Sequence, residues 1–165
     1  MLYIRSLDVS KAFSGLMNRI LKHIATLGFI GYIPVAPGTV GSLAALAVFM
    51  FLRPSISLQV AILLIMIPLA TISSHVAERL LNEKDSSHII IDEFCGYFLS
   101  VLFVPYSAGY ALAAFFLFRF FDILKPFPVG RMEKLKGGIG IVADDIMAAI
   151  YTNAILHIWV LIIRL

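Results

Sequence analysis

Apolar residues form long runs along most of the chain, and these runs predict five hydrophobic helical segments. The first, LAALAVFMFL, stops at Arg53, which a proline follows, and it reaches across a membrane only if its helix begins near Thr39 and the membrane is locally thin. The others cover residues 58–72, 89–104, 110–124 and 145–163. A helix needs about 20 apolar residues to cross a bilayer, so the first segment is predicted to be a short or partial span.

The segments before the first run have a different pattern. Residues 1–27 place apolar side chains at helical spacing and carry Lys11, Arg19 and Lys22 on a polar side. They predict an amphipathic helix, which either lies on an anionic membrane surface or docks on the protein as an ordinary surface helix. Residues 28–42 are rich in glycine and proline and are predicted to be irregular.

Composition indicates a membrane protein. Hydrophobic residues make up 61% of the 165 residues and charged residues 14%, and the mean hydropathy is +0.97. Soluble domains carry about 45–50% apolar and about 25% charged residues. We therefore predict an all-α, multi-pass helical integral membrane protein with a single domain over residues 1–165 and its helical core over residues 28–165. The lipid bilayer is then a partner, whereas the chain has no feature that favours binding to nucleic acid.

The distribution of charge adds an orientation. With the N-terminus in the cytoplasm, five crossings leave only Arg53 and Arg164 of the 13 Lys and Arg residues outside, as the positive-inside rule requires. All 10 Asp and Glu residues also fall inside or at that boundary. Because the rule does not govern acidic residues, their position needs another cause. A polar site at the cytoplasmic ends of the helices supplies it.

Three segments bring carboxylates to that face, namely Asp92 with Glu93, Asp122, and Asp144 with Asp145. Carboxylates that lie close together at a membrane edge must be protonated or share cations. Hard oxygen ligands in this number suit Mg²⁺, which typically takes one or two carboxylates, several waters and substrate phosphate. Consecutive helix residues point about 100° apart, so at least one member of each pair is predicted to ligate the metal.

Two basic residues beside these acids predict that the site holds a phosphate. Arg119 and Asp122 share one helix face at i, i+3 spacing, and Lys125 can reach the same site from the helix end. A guanidinium and an ammonium beside a metal are suited to phosphate oxygens. The structural alternative is salt bridging of the acids to Arg119, Lys125, Lys134 or Lys136, which would account for one or two of the five acids.

Glycine-rich turns and one histidine complete the candidates. Thr39, Gly41 and Ser42, near a predicted helix start, offer hydroxyl and backbone N–H groups to a phosphate, and the run GGIG, which contains Gly138, is a second such candidate. Glycines also serve tight turns and close helix packing. His75, before the loop that joins the second and third runs, is a candidate proton donor to a leaving group.

Several blocks in order carry a resemblance to a known family. PVAPGTVGSL, His75, IIIDEFCGY, FRFFDILKPFP and GGIGIVADDIMA extend over residues 34–150, and together they resemble the phosphatidylglycerophosphatase A family. The resemblance implies a bacterial, Mg²⁺-dependent, multi-pass inner-membrane phosphatase with its site on the cytoplasmic side. Such an enzyme converts phosphatidylglycerophosphate to phosphatidylglycerol and phosphate in phospholipid biosynthesis.

The resemblance also assigns roles to individual residues. The acidic motif of the family falls on Asp92 and Glu93, its Arg-Asp-Lys motif on Arg119, Asp122 and Lys125, and its paired aspartates on Asp144 and Asp145. The chain departs from the family pattern at Ala149, where a glycine is expected, and at Cys95, which replaces an aliphatic residue. Both departures affect packing and leave the charged groups in place.

These residues are compatible with two mechanisms, and two other functions are compared with them. Phosphate transfer proceeds either through a metal-activated water or through an aspartate that forms a phosphoaspartate. A CDP-alcohol phosphotransferase would also bind metal through membrane-edge aspartates, but its D-G-x2-A-R pattern is missing from the sequence. A small cation transporter is the alternative from another class, and its acids should lie near mid-membrane, away from arginine and lysine. The sequence predicts no oligomeric state.

Overall fold

Seven α-helices form the fold in the computed structural model, which describes the backbone of residues 2–84 and 86–164 and the side chains of residues 11, 13–84 and 86–164. The helices are α1 (Leu2–Ala25), α2 (Pro37–Leu52), α3 (Ile56–Leu81), α4 (Ile91–Ser100), α5 (Ala108–Leu124), α6 (Val129–Met132) and α7 (Gly138–Arg164). A single 3₁₀ turn, Ile30–Tyr32, precedes α2. Because the described residues contain no strand, the predicted all-α class is confirmed.

Two of the described helices are long and apolar enough to cross a membrane, where the sequence predicted about five hydrophobic helices. These are α3, with 26 residues, and α7, with 27 residues. All five predicted apolar runs do fall on helices, but α2 has only 16 residues and α4 only 10. A ten-residue helix is about 15 Å long, roughly half the thickness of the hydrocarbon layer. The prediction of five hydrophobic spans is therefore not confirmed.

The ends of α2 and α5 follow from local residue chemistry. α2 begins at Pro37, so the prediction of an irregular segment is wrong for residues 37–42. Proline is tolerated in the first turn of a helix because the N–H groups there have no partner within the helix. α5 begins where the Ser107 side chain accepts a hydrogen bond from the backbone N–H of Tyr110 at 3.0 Å. It ends at Lys125, whose backbone is left-handed, and Pro126 follows.

Helix α4 lies at the centre of the fold and packs against α2, α3, α5 and α7. Tyr97 and Phe98 of this helix are buried, and the Tyr97 hydroxyl donates a hydrogen bond to the carbonyl of Ala111 at 3.1 Å. Cys95 is also buried, as expected for a packing residue. Because α4 has neighbours on all sides, its first turn projects acidic side chains into the protein interior.

Helix α7 begins seven residues earlier than the predicted start at residue 145. Gly137, with a φ of +65°, ends the preceding loop, and Gly138 opens the helix. A Cβ on Gly138 would overlap the carbonyl oxygen of Thr71 and lie 2.8 Å from the backbone nitrogen of His75. The glycine therefore lets α7 approach the backbone of α3, and the aspartate pair falls inside the helix.

Helix α1 agrees with the predicted N-terminal helix, but it ends at Ala25, two residues before the predicted end at residue 27. Phe13, Leu16 and Ile20 are exposed on one side of this helix, while its C-terminal end packs against α3 through the buried Ala25. Placement of α1 on a membrane surface stays a prediction. So does the assignment of residues 1–165 to one domain.

Replacing Gly138 with alanine tests the close approach of α7 to α3. Gly138→Ala is expected to lower the free energy of unfolding by about 1–3 kcal/mol, because the added methyl group has no space beside the α3 backbone. Thermal unfolding of the purified protein in detergent measures the effect. Gly15→Ala is the matched control, since no atom lies within 4 Å of its added Cβ. Equal stability of both variants would show that α3 and α7 do not approach this closely.

Candidate active site

Carboxylates from three helices come together in the interior. One oxygen from each of Asp92, Glu93 and Asp145 lies within 4.8 Å of the others, and the same holds for Asp122, Asp144 and Asp145. Asp145 belongs to both groups, so the two groups form one continuous cluster. The acidic motifs thus lie close together, as the sequence predicted. The roles of these residues in catalysis and metal binding stay predictions.

Close helix packing sets the position of this cluster. The acidic pair of α4 lies in its first turn, and Gly96 follows one turn later. A Cβ on Gly96 would lie 2.5 Å from the ring of Phe118 and 3.3 Å from the carbonyl oxygen of Asp145. The absence of a side chain therefore lets α4 approach α5 and α7 at the level where Asp145 enters the cluster.

Two cationic side chains bridge the acids. Arg119 Nη1 lies 2.6 Å from Asp122 Oδ2 and 3.8 Å from Glu93 Oε1. Lys125 Nζ lies 2.8 Å from Asp144 Oδ2 and 3.0 Å from Glu133 Oε2. Salt bridging thus involves three of the five predicted acids, more than the one or two expected. It also includes Glu133, which the sequence did not indicate because no helical spacing relates it to Lys125.

Asp92 and Asp145 make no ion pair with any cationic side chain of residues 11, 13–84 and 86–164. They are 7% and 3% exposed. Asp92 Oδ1, Glu93 Oε2 and Asp145 Oδ2 are buried and accept no hydrogen bond from the described part of the chain. Buried polar atoms without a partner are costly and rare. A divalent cation with hard-oxygen preference fits this donor set, so the residues present suit Mg²⁺.

Electrostatics also favour an added cation. Burial, followed by the neighbouring Glu93 carboxylate, raises the pKa of Asp92 well above its usual range. Burial, with a further contribution from Asp122, raises the pKa of Glu93 to about 7 even though Arg119 acts in the opposite direction. Arg119 and Lys125 therefore do not supply enough positive charge for the cluster. Without a further cation, its carboxyl groups tend to keep protons.

Lys125 keeps its charge at the edge of the cluster. Partial burial favours the neutral amine, but the hydrogen bonds and negative charges of Asp144 and Glu133 outweigh it and hold the pKa of Lys125 above its ordinary value. The side chain of Lys125 is 30% exposed and that of Glu133 is 45% exposed. This end of the site therefore faces outwards, whereas Asp145 lies deepest.

Gly38 belongs to the same glycine-containing run as the phosphate-binding candidates Thr39, Gly41 and Ser42, and it lies directly beside the site. A Cβ on this residue would overlap Glu93 Oε1 and lie 3.3 Å from Arg119 Nη1. The first turn of α2 therefore closes over the Glu93–Arg119 pair, and a side chain at Gly38 would displace it. A helix start does not itself require glycine after its proline. A glycine at that place therefore indicates that another group approaches the helix closely. Thr39, which is half-buried, lies in the same turn.

The other two α2 candidates make packing contacts in this structure. A Cβ on Gly41 would lie 3.0 Å from the carbonyl oxygen of Ile90, so this glycine lets α2 approach the start of α4. Ser42 is fully buried and its hydroxyl donates a hydrogen bond to the Gly38 carbonyl at 3.0 Å. Binding of phosphate by Thr39, Gly41 and Ser42 stays a prediction.

His75 and Gly138 lie outside both carboxylate groups. The His75 ring lies against Gly137, and together with Lys136 and Gly138 it lines a cavity of about 320 Å³ beside the start of α7. Along α7, Gly138 is seven residues from Asp145, or about 10 Å. The proton-donor role of His75 and the phosphate-binding role of Gly138 stay predictions.

The fold and the site together define a class of protein. An all-helical chain with apolar spanning-length helices holds buried carboxylates beside an arginine and a lysine, a donor set suited to a metal-dependent reaction of a phosphate ester. The family model for phosphatidylglycerophosphatase A matches residues 23–160, and the chain belongs to that family.

Two curated relatives carry the name of this family. The chain is 42% identical to phosphatidylglycerophosphatase A of Haemophilus influenzae over 136 residues, which cover 78% of this chain and 82% of the relative. It is 32% identical to phosphatidylglycerophosphatase A of Escherichia coli over 158 residues, which cover 93% of this chain and 90% of the relative. A provisionally named phosphatidylinositol-3-phosphatase of Bacteroides thetaiotaomicron is 37% identical over 142 residues, which cover 79% and 89%. No solved structure matches the chain at a significant level.

The family stated from the sequence blocks is therefore confirmed, and with it the prediction that the chain is an enzyme of the phosphatase kind. All of the quoted blocks lie within residues 23–160. The match leaves out most of α1.

Replacing Asp145 with asparagine tests whether the cluster needs a cation. In metal-free, mildly alkaline buffer we expect Asp145→Asn to raise the free energy of unfolding by about 1 kcal/mol or more, because a buried carboxylate without a partner is removed. Mg²⁺ is expected to stabilise the parent protein and to have much less effect on the variant. Thermal unfolding with and without Mg²⁺ measures both effects.

Glu78→Gln, which neutralises a half-buried carboxylate on α3 away from the cluster, is the matched control and should keep the full response to Mg²⁺. An equal Mg²⁺ response in Asp145→Asn and the parent protein would remove Asp145 from the metal site.

Proposed function

We propose that this protein is a Mg²⁺-dependent phosphatase that hydrolyses the terminal phosphomonoester of phosphatidylglycerophosphate to phosphatidylglycerol and phosphate. The observation that carries the proposal is the meeting of five carboxylates from α4, α5 and α7 with Arg119 and Lys125, in a chain of this family. The site would work at the cytoplasmic face of the bacterial inner membrane, with α3 and α7 as spanning helices.

The proposed metal ligands are the buried acids Asp92, Glu93, Asp122, Asp144 and Asp145. Mg²⁺ held there would offset the negative charge of the phosphoryl oxygens and make a water more acidic. Asp145 has an oxygen close to both halves of the cluster, which makes it the central ligand in the proposal. The outward-facing end at Lys125 and Glu133 is the proposed entry for the phosphate, since exposure falls from there towards Asp145.

Arg119 and Lys125 would bind the phosphate in this proposal. Each cation already contacts two carboxylates in the free protein. An incoming phosphate would replace some of these carboxylates, so neither cation would be without a partner before or after the phosphate binds. Arg119 presents a planar guanidinium that can contact two phosphate oxygens, and Lys125 contributes a point charge. The P–O bond to the glycerol breaks, water supplies the new oxygen on phosphate, and the lipid glycerol takes up a proton.

The cation-transporter alternative is less favourable. Intramembrane carboxylates can mark an ion path, but here Arg119 and Lys125 form ion pairs with three of them, which suits a fixed anion-binding site better than an open path for cations. Named relatives with phosphatase activity support the enzyme instead. Their printed names differ in the lipid, since one refers to a phosphoinositide, and the shared chemistry is a lipid phosphomonoester.

Phosphate release from a panel of lipids tests the reaction. The purified protein should release phosphate from phosphatidylglycerophosphate in the presence of Mg²⁺, and more slowly from phosphatidylinositol 3-phosphate and phosphatidic acid. A chelator should stop release, and added Mg²⁺ should restore it. Undiminished release under chelation would eliminate the metal mechanism. Faster release from the phosphoinositide would reassign the substrate.

Alanine substitutions in the cluster test the assigned residues. Asp122→Ala and Asp144→Ala are each expected to lower kcat/KM for the lipid by at least about 100-fold, because each removes a charge that is needed most in the transition state. Circular dichroism and thermal unfolding should show that the variants remain folded. Glu78→Gln again serves as the control, with unchanged kcat/KM. A variant with unchanged turnover would exclude its residue from the site.

A further inference from the structure

An apolar groove begins directly beside the candidate site. It has a volume of about 380 Å³ and runs between α5 and α7, under the loop that follows α5. Its lining consists almost entirely of hydrocarbon and aromatic groups, from Phe121, Pro126, Phe127, Tyr151, Ala154 and Ile155. The same two helices that hold the acids and cations therefore also form this groove.

Sequence register connects the groove to the site. Phe121 immediately precedes Asp122, and Pro126 immediately follows Lys125. Tyr151 lies seven residues after Asp144 on α7, so the two residues occupy the same side of the helix about 10 Å apart along its axis. The groove thus extends from the polar cluster along α7 towards the C-terminal half of that helix, which is the direction into the hydrocarbon layer if α7 spans the membrane.

Specific contacts hold the loop over the groove. The Tyr151 hydroxyl donates a hydrogen bond to the carbonyl of Phe127 at 2.9 Å. The rings of Phe121 and Tyr151 meet edge to face, with centroids 5.5 Å apart. The guanidinium of Arg131 lies 4.6 Å from the centre of the Phe127 ring. Two cations therefore lie next to residues that line the groove, Arg131 against Phe127 and Lys125 beside Pro126 in the chain. The lining itself is apolar, and this combination matches an anionic headgroup that continues into a hydrocarbon chain.

We propose that this groove binds an acyl chain of the lipid substrate while its terminal phosphate occupies the site at Lys125 and Asp144. The proposal rests on the proposed lipid phosphatase function. It makes the enzyme selective for long-chain lipid phosphomonoesters that enter sideways from the bilayer, in preference to soluble phosphate esters. Ala154 is the specificity-determining position, because its small, exposed side chain lines the groove and leaves room in it for a chain.

A second apolar groove supplies a matched comparison. It has a volume of about 330 Å³ and is lined by residues between 60 and 68 of α3, by Leu99 of α4 and by Leu102 in the turn after α4. A membrane lipid can occupy either groove. Of these two, the groove between α5 and α7 is the one lined by residues that adjoin Asp122 and Lys125 in the sequence.

The test compares two chain lengths of one substrate. Phosphate release from dioleoyl and dihexanoyl phosphatidylglycerophosphate is measured in detergent micelles with Mg²⁺ for the parent protein, Ala154→Phe, Ala154→Ser and Val60→Phe. Ala154→Phe fills the groove and should lower kcat/KM for the dioleoyl lipid about tenfold, through lost contact with chain methylenes. Its kcat/KM for the dihexanoyl lipid should stay within about twofold of the parent value, which also shows that the variant is folded.

Ala154→Ser keeps the groove open, and Val60→Phe fills the groove between α3 and α4, so both should retain the parent preference for the long chain. The proposal is overturned if Ala154→Phe leaves the chain-length preference unchanged, which means that bulk lipid or nothing specific occupies the groove. It is also overturned if Ala154→Phe slows both substrates equally, since that indicates a structural effect on the site. A parent protein that releases phosphate from neither lipid would instead refute the proposed function.

Discussion

Mutual repulsion among buried carboxylates is the constraint on which this structure depends. Asp92, Asp144 and Asp145 lie in the interior with Glu93 and Asp122 beside them, where each negative charge is poorly hydrated. Arg119 and Lys125 neutralise part of that charge, and a divalent ion would offset most of what is left in the proposed enzyme. A cluster of this kind is unfavourable for folding. Its retention in a chain with only 14% charged residues is understandable if the cluster performs chemistry.

Three glycines, which have no side chain, let the helices come close enough to form that cluster. Gly38 leaves space for the Glu93–Arg119 pair, Gly96 lets α4 reach α5 and α7, and Gly138 lets α7 reach the backbone of α3. Glycine is unfavourable inside a helix, so each of these positions lowers local helix stability while it allows two helices to pack closely. The positions of the acids are consequently set by backbone packing, and only secondarily by the charges themselves.

The helices were largely predictable from the sequence, but their lengths and some of their neighbours were not. Each of the five apolar runs fell on a helix, although only two of those helices are long enough to cross a membrane. The one-sided acids indicated that Asp92, Asp122 and Asp145 belong to one site. The short extent of α4 was missed because the apolar run continues beyond it through a non-helical turn after Ser100. The contact between Gly38 and Glu93 joins residues far apart in sequence, and no local pattern encodes such a contact. Helix starts were missed at residues 37 and 138, where proline and glycine are usually signals for loops.

Lys125 combines an unfavourable backbone conformation with a contact in the candidate site. This residue ends α5 in a left-handed conformation, with a φ of 46°, at the kind of position where glycine or asparagine is the usual choice. A lysine there accepts an unfavourable backbone geometry while its ammonium reaches Asp144 at 2.8 Å. In this chain the position therefore carries side-chain charge at the cost of an easier chain reversal. Glycine at this position would relax the backbone, and it would do so at the direct expense of the charge that reaches Asp144.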